Sequence, residues 1–183
     1  MKVLVTAFRE LITFVVLAII IVVPIRLFVA QPFVVEGESM YPTFDSGDYL
    51  IVDQLSYRLA EPKRGDVVVF RYPNDESVFY IKRLIGLPGE TVHVEQGVTR
   101  ITKVDGTEIT LDESYVVSED ATYTLERTLG EDQFFVMGDN RPKSSDSRTW
   151  GALPKRDIMG RAFIRLLPVD GIDVLPGAVS EIQ

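Results

Sequence analysis

Read as hydrophobic and polar positions, the chain divides near residue 30. Leu11 to Val23 is apolar apart from Thr13, and weaker apolar sequence continues to Ala30, interrupted by Pro24 and Arg26. About twenty helical residues cover roughly 30 Å, the thickness of a bilayer core. The pattern therefore predicts a membrane-spanning helix over 11–30, after a short terminus at 1–10. Pro24 falls past the middle, where a kink is tolerated, and Arg26 falls where a long side chain reaches the headgroups. There are two rival readings. A cleaved leader cut after Ala30 would put bulky Phe28 three residues before the cut, where a small residue is wanted. A core helix would have to bury a nearly unbroken apolar run at the very start of the chain.

Beyond residue 30 the apolar runs shorten and the fold reads as mostly β. Leu50–Val52, Asp66–Phe70 and Val78–Ile85 are rich in Val, Ile, Phe and Tyr. The polar stretch Pro73 to Ser77 between the last two predicts a hairpin. Thr91–Glu95 and Arg100–Val104 follow, with Asp105-Gly106 as a turn signal, and 91–133 reads as a β-hairpin extension. Phe134–Met137 and Arg161–Leu166 complete the predicted strands, and the tail from Pro168 reads as loop. The fold class expected is an N-terminal transmembrane helix followed by one antiparallel β domain over 31–183.

Charge adds an orientation and removes some partners. Lys2, Arg9 and the α-amino group precede the span, while Glu36, Glu38, Asp45 and Asp48 dominate after it. The positive-inside rule then keeps the N-terminus in the cytoplasm and puts the domain outside, with Arg26 pulling weakly the other way. The net charge of −8 argues against a nucleic-acid partner, which needs excess Lys and Arg. Hydrophobic residues at 46% and charged residues at 25% are enough for a packed core. With no cysteine, disulfides, zinc–thiolate sites and a cysteine nucleophile are excluded. No metal motif and no phosphate loop is present, so no cofactor is expected. Nothing in the sequence fixes an oligomeric state.

The candidate chemistry lies in two segments. Gly37-Glu38-Ser39-Met40-Tyr41-Pro42-Thr43 follows closely after the predicted span. A serine hydroxyl needs a base before it can attack. The chain's one histidine, His93, sits in the alternating stretch Thr91 to Glu95 with no catalytic motif around it, so a histidine triad would have to use an ordinary strand position. Lys82 is the alternative. Strand alternation puts it on one face with Val78, Tyr80 and Leu84, and puts Phe79, Ile81, Arg83 and Ile85 on the other. Burial penalises the charged ammonium and lowers its pKa by up to about 3–5 units, which turns a proton donor into a base. On the strand alone, a lysine reaching out from a sheet edge explains the residue better.

The combination is more specific. The segment 37–43 with Gly47-Asp48 resembles the nucleophile box of type I signal peptidases. Arg64 to Phe70 and Tyr80 to Gly89 look like the lysine box of that family, and Gly138 to Arg148 looks like its last box. Order and spacing agree from residue 37 to residue 148. The resemblance implies Ser39 as nucleophile, Lys82 as base and Ser144 as the serine that hydrogen-bonds and orients the lysine. It also implies a structural ion pair between Asp146 and Arg148, and Tyr80 near the pocket for the residue before the cut. Gly37 stands where one branch of the family has an oxyanion-binding serine, so backbone N–H groups, that of Ser39 among them, would serve, as in the smaller single-span branch.

The activity implied is signal-peptide removal by acyl transfer, after small residues at −1 and −3. Secretory preproteins would be the substrates and the lipid bilayer the surface on which they are met. Three alternatives stay open at this point. A self-cleaving repressor-type Ser/Lys peptidase shares Gly-x-Ser-Met, but should be soluble and lacks the Gly-Asp-Asn-Arg segment. An organellar inner-membrane peptidase belongs to the same family. A membrane-anchored β domain that binds without cutting is the third.

Overall fold

The structure, a computed structural model, describes residues 2–118 and 120–179, with the side chains of 2–5 and 25–28 left aside. Helix α1 runs Lys2–Phe28, starting before the span read from the sequence. Its apolar core, Thr6–Pro24, has a mean hydropathy of 2.3 and no buried residue. A helix that is apolar all round and covered by no protein fits a lipid surrounding. Lys2 and Arg26, named above for orientation and snorkelling, lie outside the described side chains.

Twelve strands follow among the described residues: β1 (Ala30–Val34), β2 (Tyr49–Asp53), β3 (Val67–Tyr72), β4 (Asp75–Gly86), β5 (Thr91–Glu95), β6 (Val98–Thr102), β7 (Glu108–Thr110), β8 (Thr124–Thr128), β9 (Gln133–Met137), β10 (Leu153–Pro154), β11 (Ile158–Leu167) and β12 (Asp173–Val174). Two one-turn helices, α2 (Ser56–Leu59) and α3 (Ser147–Trp150), interrupt them. The large sheet has the order β1-β2-β11-β3-β4-β9-β10, with β12 added to β11, and the small sheet has the order β7-β6-β5-β8. Every strand pair is antiparallel.

Three differences from the sequence reading matter. The expected span ends at Ala30, but Ala30 opens strand β1, in which Phe33 and Val34, not read as strand, pair across to Leu50 and Tyr49. The expected hairpin extension is a four-stranded sheet, to which β7 and β8 add the outer strands. The tail beyond Pro168 is not all loop, since Asp173–Val174 pairs with β11.

Alternation explains the core. Val68 and Phe70 of β3 join Leu84, Phe134, Val136 and Leu153 on one side of the large sheet. Val67 joins Val35, Met40, Phe44, Leu50 and Ala162 on the other. Val92, Val94 and Ile101 of the small sheet pack against Ile85, Phe135 and Met137, so strands β4 and β9 serve both cores. The strands that carry the candidate chemistry are therefore pinned from both faces.

Candidate active site

Ser39 lies on the connection between β1 and β2, and the chain fixes it by burying its neighbours. Val35 before it and Met40 and Phe44 after it are sealed in the core. Backbone bonds from Val35 to Asp48 and from Gly47 to Val35 close the base of the loop, and a turn from Phe44 to Met40 stiffens it. Gly37 turns the chain with φ of +88°, in a region that favours glycine. It is exposed and has no side chain to donate to an oxyanion, as the sequence implies.

Strand β4 delivers Lys82 from below. It is paired with Val68 on β3, is only 4% exposed, and extends its Nζ to 2.8 Å from Ser39 Oγ. Nζ also donates to the Ile81 carbonyl at 2.9 Å and lies 5.1 Å from the centre of the Tyr80 ring. Burial pulls the Lys82 pKa down from 10.5 to about 8, against the Asp146 and Asp139 carboxylates, which hold it up. Both carboxylates are already paired. Asp139 is clamped by Arg83, through Nη2 at 2.6 Å and Nε at 2.9 Å, and Asp146 by Arg148 Nε at 2.8 Å. Lys82 is thus a buried cation among the described residues with no carboxylate of its own in contact.

The last segment closes the site. Asn140 donates its N–H to the Ser39 carbonyl at 3.0 Å. Gly138 lies so close beneath that a Cβ there would fall 2.3 Å from Ser144 Oγ and 2.4 Å from the Ser39 carbonyl oxygen, so only glycine fits. Asp146 caps α3, accepting from the Arg148 N–H and also from that of Gly138. The Asp146–Arg148 ion pair expected from the sequence is formed. The expected hydrogen bond from Ser144 to Lys82 is not. Ser144 Oγ is buried and has no hydrogen-bond partner, while the contacts of Lys82 Nζ go to Ser39 and Ile81.

An open cleft of about 300 Å³ runs past the two residues, with Ser39, Lys82, Gly37 and Tyr80 on its walls. Its floor is apolar, with Phe33, Val34, Leu50, Val69 and Ile81 among the lining residues. Glu38 and Lys143 also line it and form an exposed ion pair with each other, which holds the Glu38 carboxyl below its usual range. His93 takes no part: it sits on β5, bonded to Thr102 Oγ1 at 2.9 Å and 3.4 Å from Glu126. The described residues hold no cluster of His, Cys, Asp and Glu suited to a metal. Reading the sequence gave no role to Arg83, Asp139 or Asn140. The signal for Arg83 was its place in an apolar strand, where a charge demands a partner.

Comparisons with known proteins give the family. The family described as "Signal peptidase, peptidase S26" matches residues 8–167. A "Probable signal peptidase I-2" of Synechocystis sp. is 40% identical over 164 residues, covering 86% of this chain and 72% of its own. A "Signal peptidase I" of Leptolyngbya laminosa is 38% identical over 167 residues, covering 87% of this chain and 79% of its own. A crystal structure of a signal peptidase I from Enterococcus faecalis is 31% identical, with a TM-score of 0.45 over 56% of this chain and 97% of that one.

Proposed function

The chain belongs to the signal peptidase family, peptidase S26, as a membrane-anchored serine endopeptidase that removes signal peptides from preproteins, and we propose that Ser39 is its nucleophile and Lys82 its general base. The observation that carries this assignment is the 2.8 Å approach of a buried lysine with a lowered pKa to a serine at the wall of the cleft.

In this reading neutral Lys82 takes the Ser39 proton as Oγ attacks the scissile carbonyl. Backbone N–H groups, that of Ser39 among them, face the developing oxyanion. The protonated lysine gives its proton to the leaving amine, and then activates the water that releases the acyl-enzyme. Tyr80 lines the pocket for the residue before the cut, and the Asp146–Arg148 pair supports the loop beneath.

The cleft suits an extended peptide. Strand β1 is an edge strand, and β4 pairs with β9 only at residues 83–86, so β1 and residues 75–82 of β4 offer free backbone to an added strand. An extended chain points alternate side chains the same way, so positions −1 and −3 would enter the apolar cleft together, and its size favours small ones. The catalytic domain is 31–183, carried outside the cytoplasm on α1 with the N-terminus inside. Tethering at the bilayer raises the effective concentration of a membrane-inserted substrate.

The test is cleavage of a model preprotein by the purified full chain in detergent, with the cut mapped by mass spectrometry. A single cut after small residues at −1 and −3, lost in Ser39→Ala, is expected. Cleavage by Ser39→Ala within tenfold of wild type would remove Ser39 from the mechanism.

A further inference from the structure

Residues 111–118 and 120–123, between β7 and β8, reach back from the small sheet over the rear of the catalytic loop 138–148. Their N-terminal end is held by Leu111, packed in the small-sheet core and bonded through its N–H to the Thr99 carbonyl at 3.0 Å. From there they meet each of the three arginines around the site. Glu113 accepts from Arg141 Nη2 at 2.5 Å and Nη1 at 3.0 Å, and both side chains are largely buried. The Tyr115 ring lies 4.0 Å from the Arg83 guanidinium, and its hydroxyl donates to Glu113 at 2.9 Å. Asp120 lies 3.6 Å from Arg148, whose guanidinium lies 4.9 Å from the Tyr123 ring. Ser118 bridges to Asn140, the residue that donates to the Ser39 carbonyl.

We propose that segment 111–118 is a strap that sets the position of the catalytic loop, with Glu113 as the positioning residue that fixes Arg141 and through it the Asn140 contact to Ser39. This rests on the Ser39–Lys82 assignment above. Arg141 spans the strap and the loop: its guanidinium faces Glu113, its Nε donates to the Gly138 carbonyl at 3.1 Å, and its own carbonyl accepts from Arg148 at 2.6 Å. One carboxylate on the strap therefore orders the loop at Gly138, Asn140 and Arg148 together. A bidentate arginine pair fixes direction as well as distance. Small misplacements of reacting groups cost large factors in rate. The small sheet, which touches neither Ser39 nor Lys82, acquires a role as the support that presents the strap.

The test is steady-state kinetics on one signal-peptide-derived peptide for wild type, Glu113→Gln, Glu113→Asp and Ser39→Ala, with melting curves for each. Glu113→Gln should lower kcat by about tenfold or more with KM within about twofold. It should also move the acid limb of the rate profile to higher pH, because a loosened loop admits water to Lys82, which Asp139 and Asp146 also face. Glu113→Asp should recover most of kcat. Wild-type kcat and profile in Glu113→Gln, beside an inactive Ser39→Ala, would overturn the strap and leave the dyad standing. An active Ser39→Ala would overturn the dyad itself. If Glu113→Gln does not fold, Tyr115→Phe carries the test, since it removes only the hydroxyl bond to Glu113. It should lower kcat by about threefold, and an unchanged kcat would overturn the strap.

Discussion

Lys82 and Arg83 are adjacent on one strand, both cationic and both buried, yet their surroundings differ completely. Arg83 has no exposed side-chain surface, and its guanidinium is satisfied by a bidentate Asp139 and by the carbonyls of Gly65 and Gly177. Lys82, on the opposite face, meets a serine hydroxyl, a carbonyl and a ring face. A buried charge is stable when paired and costly when not. The strand therefore holds one cation that must stay charged and one that is pushed towards neutrality. The first is a clamp and the second suits the base proposed above, and the difference lies in the partners, not in the depth.

The sharpest way to break this contrast is to make the two residues alike. Lys82→Arg keeps size and charge, but a guanidinium does not lose its proton in a protein. Peptide cleavage should fall by about 10²–10⁴-fold or more, as far as in Lys82→Met. An active arginine variant would make position 82 a structural cation like its neighbour.

The converse change acts on stability. Arg83→Met strands Asp139 without its partner in the core, at a cost of about 3–5 kcal/mol, read by chemical denaturation. Thr43 Oγ1, which donates to Asp139 at 2.5 Å, does not replace the lost charge.

Lys82→Met should do the opposite. The Lys82 pKa is about 8 in the folded chain and near 10.5 unfolded, so between those values the unfolded state holds the extra proton and stability rises with pH. Below about pH 8 both states are protonated and the fold carries the whole cost of the buried charge. Wild type should gain about 3 kcal/mol between pH 8 and 10.5 from this group, and Lys82→Met should show no such gain while being the more stable protein at pH 7.

The smallest effect is expected at Ser144. Its hydroxyl is buried without a partner, and an orphaned polar group beside a reacting pair contributes nothing to the fold. Ser144→Ala should leave kcat/KM within about twofold and leave stability unchanged or raise it by about 1 kcal/mol, whereas a tenfold loss of kcat/KM would restore the bond to Lys82. A loss of stability with unchanged kcat/KM would make Ser144 a packing residue.

These residues also mark what could be read from the sequence. Lys82 was legible because a lysine at an alternating position among Val78, Tyr80 and Leu84 conflicts with its surroundings, and motif order tied it to Ser39. The partner of Arg83 was not legible, because Asp139 lies 56 positions away and nothing local points to it. Strand β1 was not read as a strand, and its first residue Ala30 was placed at the end of the membrane span, because a short apolar run does not declare its own period. The outer strands β7 and β8 were missed because each carries a single half-buried apolar residue, Ile109 and Leu125, too few to declare a period. The direction of the Ser144 hydroxyl is a rotamer, which spacing does not encode.

The central claim is that Lys82 works as a neutral base on Ser39, and the pH dependence of kcat/KM on a signal-peptide-derived peptide tests it most directly. The rate should rise tenfold per pH unit up to an inflection near pH 8 and then level off, with the same inflection in His93→Ala. A rate independent of pH from 6 to 9, or an inflection near 6.5 that disappears in His93→Ala, would contradict it.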